Sequence, residues 1–281
     1  MRLADIVISA LVGGAVGFAA SHYLASQSDT ADEVAAIVDA RVQDRLTALG
    51  IAQKSDLDSR ISGGVAQFMV DQPEEVLAAL ERHLADEEKR QDEERRKAVL
   101  ALGDALTNQP GDPVIGASAE EADITLVEFF DYRCGYCRRS LETVLAIAET
   151  DPKLRVVMKE FPILGPESVA AARMSLAAYK LDPKLYEPLH LALFAHGGGY
   201  TKDDLLTVAT TVGYDPDALE AAMAEQGIRE QIRNAYDVAE ALGIRGTPAF
   251  VIGEQVIPGA VSEARLREAI AEARAAAAEK G

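Results

Sequence analysis

The stretch Ile124-Thr125-Leu126-Val127-Glu128-Phe129-Phe130-Asp131-Tyr132-Arg133-Cys134-Gly135-Tyr136-Cys137 decides how this chain is to be read. Ile124 to Phe130 is an apolar run with one charge, Glu128, and its length suits a buried strand. Cys134 follows that strand and opens a helix that continues through Leu141 to Ala148. The first turn of a helix presents unpaired N–H groups and the positive end of the helix dipole. Both favour thiolate over thiol, so Cys134 is the expected nucleophile. Cys137 lies nearly one helical turn further on, where it can close a disulfide with Cys134 or resolve a mixed disulfide. Gly135 and Tyr136 bring no positive charge, so thiolate stabilisation should be weaker than a histidine there would give. Arg133, Arg138 and Arg139 flank the pair, and at least two of them read as solvated charges.

Glu128 is costly to bury in its charged form. Desolvation should raise its pKa, and it could then relay protons to a buried Cys137. Lys159, on the following strand, is a candidate partner for it. The alternative is that Glu128 points outward from an edge strand. A third element, Gly246-Thr247-Pro248, precedes another short apolar run. Proline is tolerated at a strand start. A cis bond at Thr247-Pro248 would leave the Thr247 backbone open to pair with an extended substrate chain.

Outward from these pieces the pattern is α/β. Leu154 to Phe161 reads as a strand, residues 167–226 as helices broken at Asp182-Pro183, at 197–199 and at Asp215-Pro216, and residues 229–242 as a further helix. Ala249 to Ile252 and Gln255 to Ile257 read as short strands, and Ser262 caps an alanine-rich final helix.

Residues 26–110 read as a helical arm. Val34, Ile37, Val38, Val42, Leu46 and Leu49 recur at helical spacing, with a cap at Asp29-Thr30 and a stop at Gly50. A break is expected at Ser62-Gly63-Gly64, then a second helix from Pro73 through Val76, Leu77, Leu80 and Leu84. Asp86/Arg90, Asp92/Arg96 and Glu93/Lys97 place acids four residues ahead of bases, each pair supporting an exposed helix by about 0.3 kcal/mol. Val99, Leu100, Leu102 and Leu106 continue the pattern until residues 108–113 break it. The arm has too little apolar surface for a core, so it packs on itself, on the next domain or on copies of itself, or serves as a solvated spacer.

Arg2 precedes an apolar run from Ile6 to Ala20. That is the length of a signal-peptide core and shorter than the roughly 20 residues of a comfortable membrane span. Residues 1–25 therefore read as a cleaved signal or, extended to Leu24, as an anchor with Gly13 and Gly17 as a packing pair. Either reading exports the rest to an oxidising compartment. The net charge of −18 argues against nucleic acid as a partner. With 2 cysteines, both in one pair, no structural disulfide scaffold is expected.

The cysteine segment, the buried acid and the Thr-Pro, in this order, resemble the thioredoxin superfamily in its DsbA-like branch. The segments Phe68-Met-Val-Asp-Gln-Pro-Glu-Glu, Pro113-Val-Ile-Gly, Val127 to Cys137 and Lys159-Glu-Phe-Pro-Ile-Leu-Gly-Pro-Glu-Ser are similar to the ScsC (suppressor of copper sensitivity) proteins over roughly residues 65–275. The resemblance implies a thioredoxin fold at 111–281 with a helical insertion at about 166–226. It implies Cys134 as nucleophile, Cys137 as resolving cysteine, Glu128 as the buried carboxylate and Thr247-Pro248 as the cis-proline loop. It further implies a periplasmic location, reduction by a membrane partner of the DsbD/ScsB type, and, as in some members, trimerisation through the arm.

Disulfide exchange on exported cysteine-containing proteins is the leading function, with isomerase or reductase direction favoured over net oxidation and no cofactor. Gly135-Tyr136 with Thr247 before the proline look more like the DsbC-type isomerases than like the oxidase DsbA. Metal binding is the second reading. Cys134, Cys137, His190 and His196 form a nominal Cys2His2 set with zinc-finger spacing lacking, while the thiolates alone could hold Cu(I). An envelope scaffold that retains the fold without using the cysteines is the third.

Overall fold

Apolar spacing near the amino terminus is realised as long helices. The computed structural model describes residues 28–48, 54–197 and 199–280. The segment read as signal or anchor, and Gly50, lie outside the described residues. Two compact units divide the chain, one ending at Ala85 and one beginning at Asp86.

The first unit holds α1 (Ser28–Ala48), α2 (Lys54–Asp71) and the start of α3 (Pro73–Leu102). α1 starts ahead of the expected cap at Asp29-Thr30. The expected break at Ser62-Gly63-Gly64 is absent: α2 runs through it, and no atom lies within 4 Å of where either glycine's Cβ would be. Glycine weakens a helix by about 1 kcal/mol per residue, which lowers stability without forcing a stop. The interruption falls instead at Gln72, before Pro73. Ile37, Ile61, Val65, Phe68, Met69, Leu77, Leu80 and Leu84 are all exposed on this single chain.

The second unit begins within α3. Charge pairing there is partly shifted from the expected spacing: Glu93 meets Lys97, but Asp92 takes Arg95 and Glu87 takes Arg90. Residues 86–110, read from sequence as the end of the arm, belong to this unit. Val99 and Leu106, the latter on α4 (Asp104–Thr107), are buried against Val127, Phe129, Val157, Val238 and Leu242.

A five-stranded sheet comes next, ordered β1-β3-β2-β4-β5. Its strands are β1 (Val114–Gly116), β2 (Ile124–Phe130), β3 (Leu154–Glu160), β4 (Ala249–Ile252) and β5 (Gln255–Pro258). β2 and β3 are parallel and joined through α5 (Gly135–Thr150); the other pairings are antiparallel. The helical insertion comprises α6 (Pro166–Leu181), a 3₁₀ turn at Pro183–Leu185, α7 (Tyr186–Ala195), α8 (Lys202–Val212) and α9 (Pro216–Met223). Its breaks coincide with the expected ones. Asp182 caps the 3₁₀ turn and Asp215 caps α9, accepting from the N–H groups of Lys184 and Ala218. α10 (Gln226–Ala241) and α11 (Glu263–Lys280) complete the unit.

One face of the sheet carries Leu126, Phe130, Val156 and Met158, packed with α5, the insertion and Leu266, Ala269 and Ile270 of α11. The opposite face carries Val127, Phe129 and Val157 against α3, α4 and the end of α10. This is a thioredoxin fold with an inserted helical subdomain.

β1, absent from the sequence reading, closes one edge and ends on Gly116. That glycine has φ +82°, and a Cβ there would sit 2.6 Å from the Leu154 carbonyl oxygen. Gly116→Ala is therefore expected to cost about 1–3 kcal/mol, read as a fall in the urea midpoint. An unchanged midpoint would show that the β1 edge relaxes freely.

Candidate active site

β2 ends at Phe130, and the chain turns through Asp131, Tyr132 and Arg133 into α5, with Cys134 as its N-cap in extended conformation (φ −80°, ψ 113°). The turn is closed by the Cys134 N–H donating to the Asp131 carbonyl at 2.9 Å, and the helix begins with the Arg138 N–H donating to the Cys134 carbonyl at 3.1 Å. Cys134 therefore stands among the free amides of a helix start, as its position after a strand required.

The Cys134 thiol donates to the Thr247 carbonyl at 3.3 Å. Thr247-Pro248 is a cis peptide bond. Pro248 is buried, and its carbonyl accepts from the Gly259 N–H at 2.9 Å, which anchors the loop at the β4–β5 edge. Both cysteines are free thiols. Cys134 retains 8% exposure and Cys137 1%, so a partner can reach the first sulfur and not the second. Gly135 and Tyr136 between them are exposed, and the Arg139 guanidinium lies 4.2 Å over the Tyr136 ring.

Glu128 is buried at 2% exposure, which excludes the outward-pointing alternative. Register explains what surrounds it. Glu128 pairs with Met158, and Phe129 with Lys159. Side chains alternate along a strand, so Glu128 faces the α5 side with Cys137, and Lys159 faces the other side with Phe129. The expected Glu128–Lys159 partnership is thus not formed. Lys159 Nζ instead meets Asp112 at 2.5 Å and donates to the Ala105 carbonyl at 2.8 Å. Burial holds Asp112 above the usual carboxylate range, with Lys159 pulling the other way.

Burial, reinforced by the Cys134 sulfur, pushes Glu128 up to about 8. Burial, followed by the Glu128 charge, pushes the Cys137 thiol up. A carboxyl lifted to titrate near neutral pH thus lies on the sheet face shared with the buried Cys137 thiol.

His190 and His196 do not join the cysteines. The buried His190 ring is enclosed by Phe130, Tyr132, Tyr186 and Phe194, with Nδ1 2.8 Å from the Tyr132 hydroxyl, and burial lowers its pKa to about 3. His196 Nε2 meets the Gly199 carbonyl at 3.0 Å. Among the described residues no group of three or more His, Cys, Asp or Glu side chains is arranged to hold a metal ion.

Sequence reading passes over the Asp131–Arg133 turn. The Asp131 carboxylate accepts from the Arg133 N–H at 2.8 Å and from the Leu164 N–H at 3.0 Å. Arg133, one of the three flanking arginines, donates to the Leu164 carbonyl at 2.9 Å and pairs with Glu167 at 3.1 Å. The available signal is local: polar residues between a strand end and the first cysteine need partners. Their identity requires the fold.

Glu128 takes up a proton more readily in the folded state than in the unfolded one. Its contribution to stability is fully present below about 4.5 and is lost as the pH rises through about 8. Glu128→Gln removes that loss. Its stability relative to the unsubstituted chain should climb by up to about 1.4 kcal/mol per pH unit across the interval and then level off. Urea denaturation of both proteins over a pH series measures this; parallel curves would rule out a proton held by burial.

Comparison with known proteins gives the same answer as the geometry. The DSBA-like thioredoxin domain profile matches residues 125–271. A thioredoxin-like oxidoreductase from Silicibacter pomeroyi is 39% identical, with 61% of this chain and 97% of that chain covered and a TM-score of 0.58. The catalytic domain of Proteus mirabilis ScsC is 30% identical, covering 64% and 98%, also with a TM-score of 0.58. The thiol:disulfide interchange protein DsbA of Bordetella pertussis is 28% identical over 176 residues, 57% of this chain and 82% of that protein. The chain spans only 25% of the length of another relative, the Na(+)/H(+) antiporter NhaA 1 of Salinispora arenicola, at 26% identity over 164 residues. With Cys134 at a helix start, a cis-proline loop and a buried acid arranged on this fold, the chain belongs to the DSBA-like thioredoxin domain family.

Proposed function

We propose that this chain is a thiol–disulfide oxidoreductase acting on exported, cysteine-containing proteins. The observation that carries the reading is the Cys134 thiol at the start of α5, 3.3 Å from the Thr247 carbonyl of a cis Thr-Pro, with Cys137 buried behind it. In the reducing direction the Cys134 thiolate attacks a substrate disulfide. A Cys134–substrate disulfide forms, and one substrate sulfur leaves as thiolate. Cys137 then loses its proton to the Glu128 carboxylate and attacks Cys134 Sγ. The Cys134–Cys137 disulfide forms as the second substrate thiolate leaves, so two electrons pass from the protein dithiol to the substrate disulfide. Thr247 offers its backbone to an extended substrate chain, and Tyr136 offers an exposed ring beside the nucleophile.

Isomerase or reductase direction is favoured over net oxidation. Gly135-Tyr136 with Thr247 support this, as does the arm. Its exposed apolar residues suit self-association, with a trimer as the assembly that the ScsC resemblance implies. Linked catalytic domains could then hold one substrate at two points. Turnover in this direction needs electrons from outside, and a membrane reductase of the DsbD/ScsB type is the partner proposed. The location proposed is periplasmic, either after cleavage of the leader or tethered by residues 6–24.

Insulin reduction and refolding of a scrambled disulfide substrate should both proceed, and Cys134→Ala should abolish them. Cys137→Ala should trap the mixed disulfide. Thiol trapping in cells decides direction: a mainly reduced pair supports isomerase or reductase work, a mainly oxidised pair supports a DsbA-type oxidase. Stoichiometric Cu(I) binding without exchange activity would replace the reading with copper tolerance.

The arm is tested separately. Sedimentation of residues 26–281 should give an oligomer, and of a chain starting at Asp86, where the second unit begins, a monomer. Identical assembly of both would remove the arm from the account.

A further inference from the structure

We propose that Tyr132 is the positioning residue through which the helical insertion sets the placement of Cys134; this rests on the exchange reading above. Tyr132 lies two residues before the nucleophile and is 1% exposed. Its hydroxyl is 2.9 Å from Ser175 Oγ on α6 and 2.8 Å from His190 Nδ1 on α7. The Tyr200 hydroxyl shares its one proton between the Tyr132 carbonyl at 3.1 Å and the Leu193 carbonyl at 2.9 Å. For Tyr132 itself, packing adds to these bonds. The Tyr132 ring packs on Phe130 and Phe194 with centroids 5.1 and 4.8 Å away.

Three separate parts of the insertion thus converge on one residue of the turn, and both its side chain and its main chain are held. Neighbouring Asp131 and Arg133 tie the turn to Leu164 and Glu167, at the start of the insertion. Tyr132 carries its contacts deeper, into α6, α7 and Tyr200. Cys134 reaches Thr247 through its thiol alone. The sulfur must keep its distance both to the helix amides and to the Thr247 carbonyl. A displacement of about 1 Å at a reacting group can lower a rate about 100-fold.

Burial makes the arrangement sensitive. A hydroxyl offers one donor and two acceptor sites, and Tyr132 spreads them over partners on two helices. His190 Nε2 has no hydrogen-bond partner among the described residues. The shortest polar contact of the ring is to the Tyr132 hydroxyl, with the Tyr186 hydroxyl further away at 3.4 Å. Ordinary core packing would need the aromatic ring and not the hydroxyl, which separates the two explanations.

Tyr132→Phe keeps the ring and removes the hydroxyl. Tyr214→Phe serves as the matched control, because its buried hydroxyl donates to the Asp182 carbonyl at 2.8 Å within the insertion and has no link to the turn. Urea midpoints of the two variants should fall by similar amounts. In Tyr132→Phe the iodoacetamide pH–rate profile of Cys134 should move to higher pH, and insulin reduction should slow about tenfold, a part of what a misplaced group can lose. Tyr214→Phe should match the unsubstituted chain in both. If Tyr132→Phe does not fold, Tyr200→Phe, which releases the Tyr132 carbonyl, should show the same displaced profile. A folded Tyr132→Phe, or failing that Tyr200→Phe, with the profile of the unsubstituted chain overturns the proposal. Alkylation needs no turnover, so the proposal is decided even if the unsubstituted chain reduces no insulin and the exchange reading itself fails.

Discussion

Alternation of side chains across β2 and β3 sorts the buried ionisable groups of this fold onto two sides of one sheet. Glu128 lies on the α5 face with Cys137, while Lys159 lies on the opposite face with Asp112. A slip of one residue in β2 would carry Glu128 away from the cysteine side, and a slip in β3 would bring Lys159 to it. Register is held by near-continuous burial of both strands, so the chemistry of the site is secured by the packing of the sheet.

The same burial sets the two sulfurs apart. Cys134, at the helix start, touches the cis-proline loop; Cys137, one turn on, faces the interior. Equal residues thus meet unequal surroundings, one at the surface of the cis-proline loop and the other in the interior. Both depend on the turn between β2 and α5, where Asp131, Tyr132 and Arg133 reach into residues 164–200. The insertion covers the α5 face of the sheet and grips the segment that leads into Cys134.

Periodicity in the sequence reaches the long elements well. β2, β3, β4, the insertion helices and α11 lie close to where apolar spacing, prolines and capping residues place them. β1 escapes it because three residues with one buried side chain carry no periodic signal. The Gly63-Gly64 pair reads as a break although glycine only weakens a helix. Lys159 matches Glu128 on sequence because adjacent strands suggest proximity, whereas facing is decided by register.

Residue order alone placed a cysteine pair at a helix start after a strand, a Thr-Pro ahead of a short strand and an acid inside an apolar run, since strand length, helix start and turn chemistry are local properties, and the thioredoxin fold followed from the resemblance these pieces carry. Tertiary structure alone decided which face each charge occupies, how the Tyr132 turn is held, and that His190 belongs to an aromatic enclosure apart from the cysteines. These are contacts between residues tens to more than a hundred positions apart. They arise when the sheet pairs and the insertion folds over it, and no local pattern encodes them.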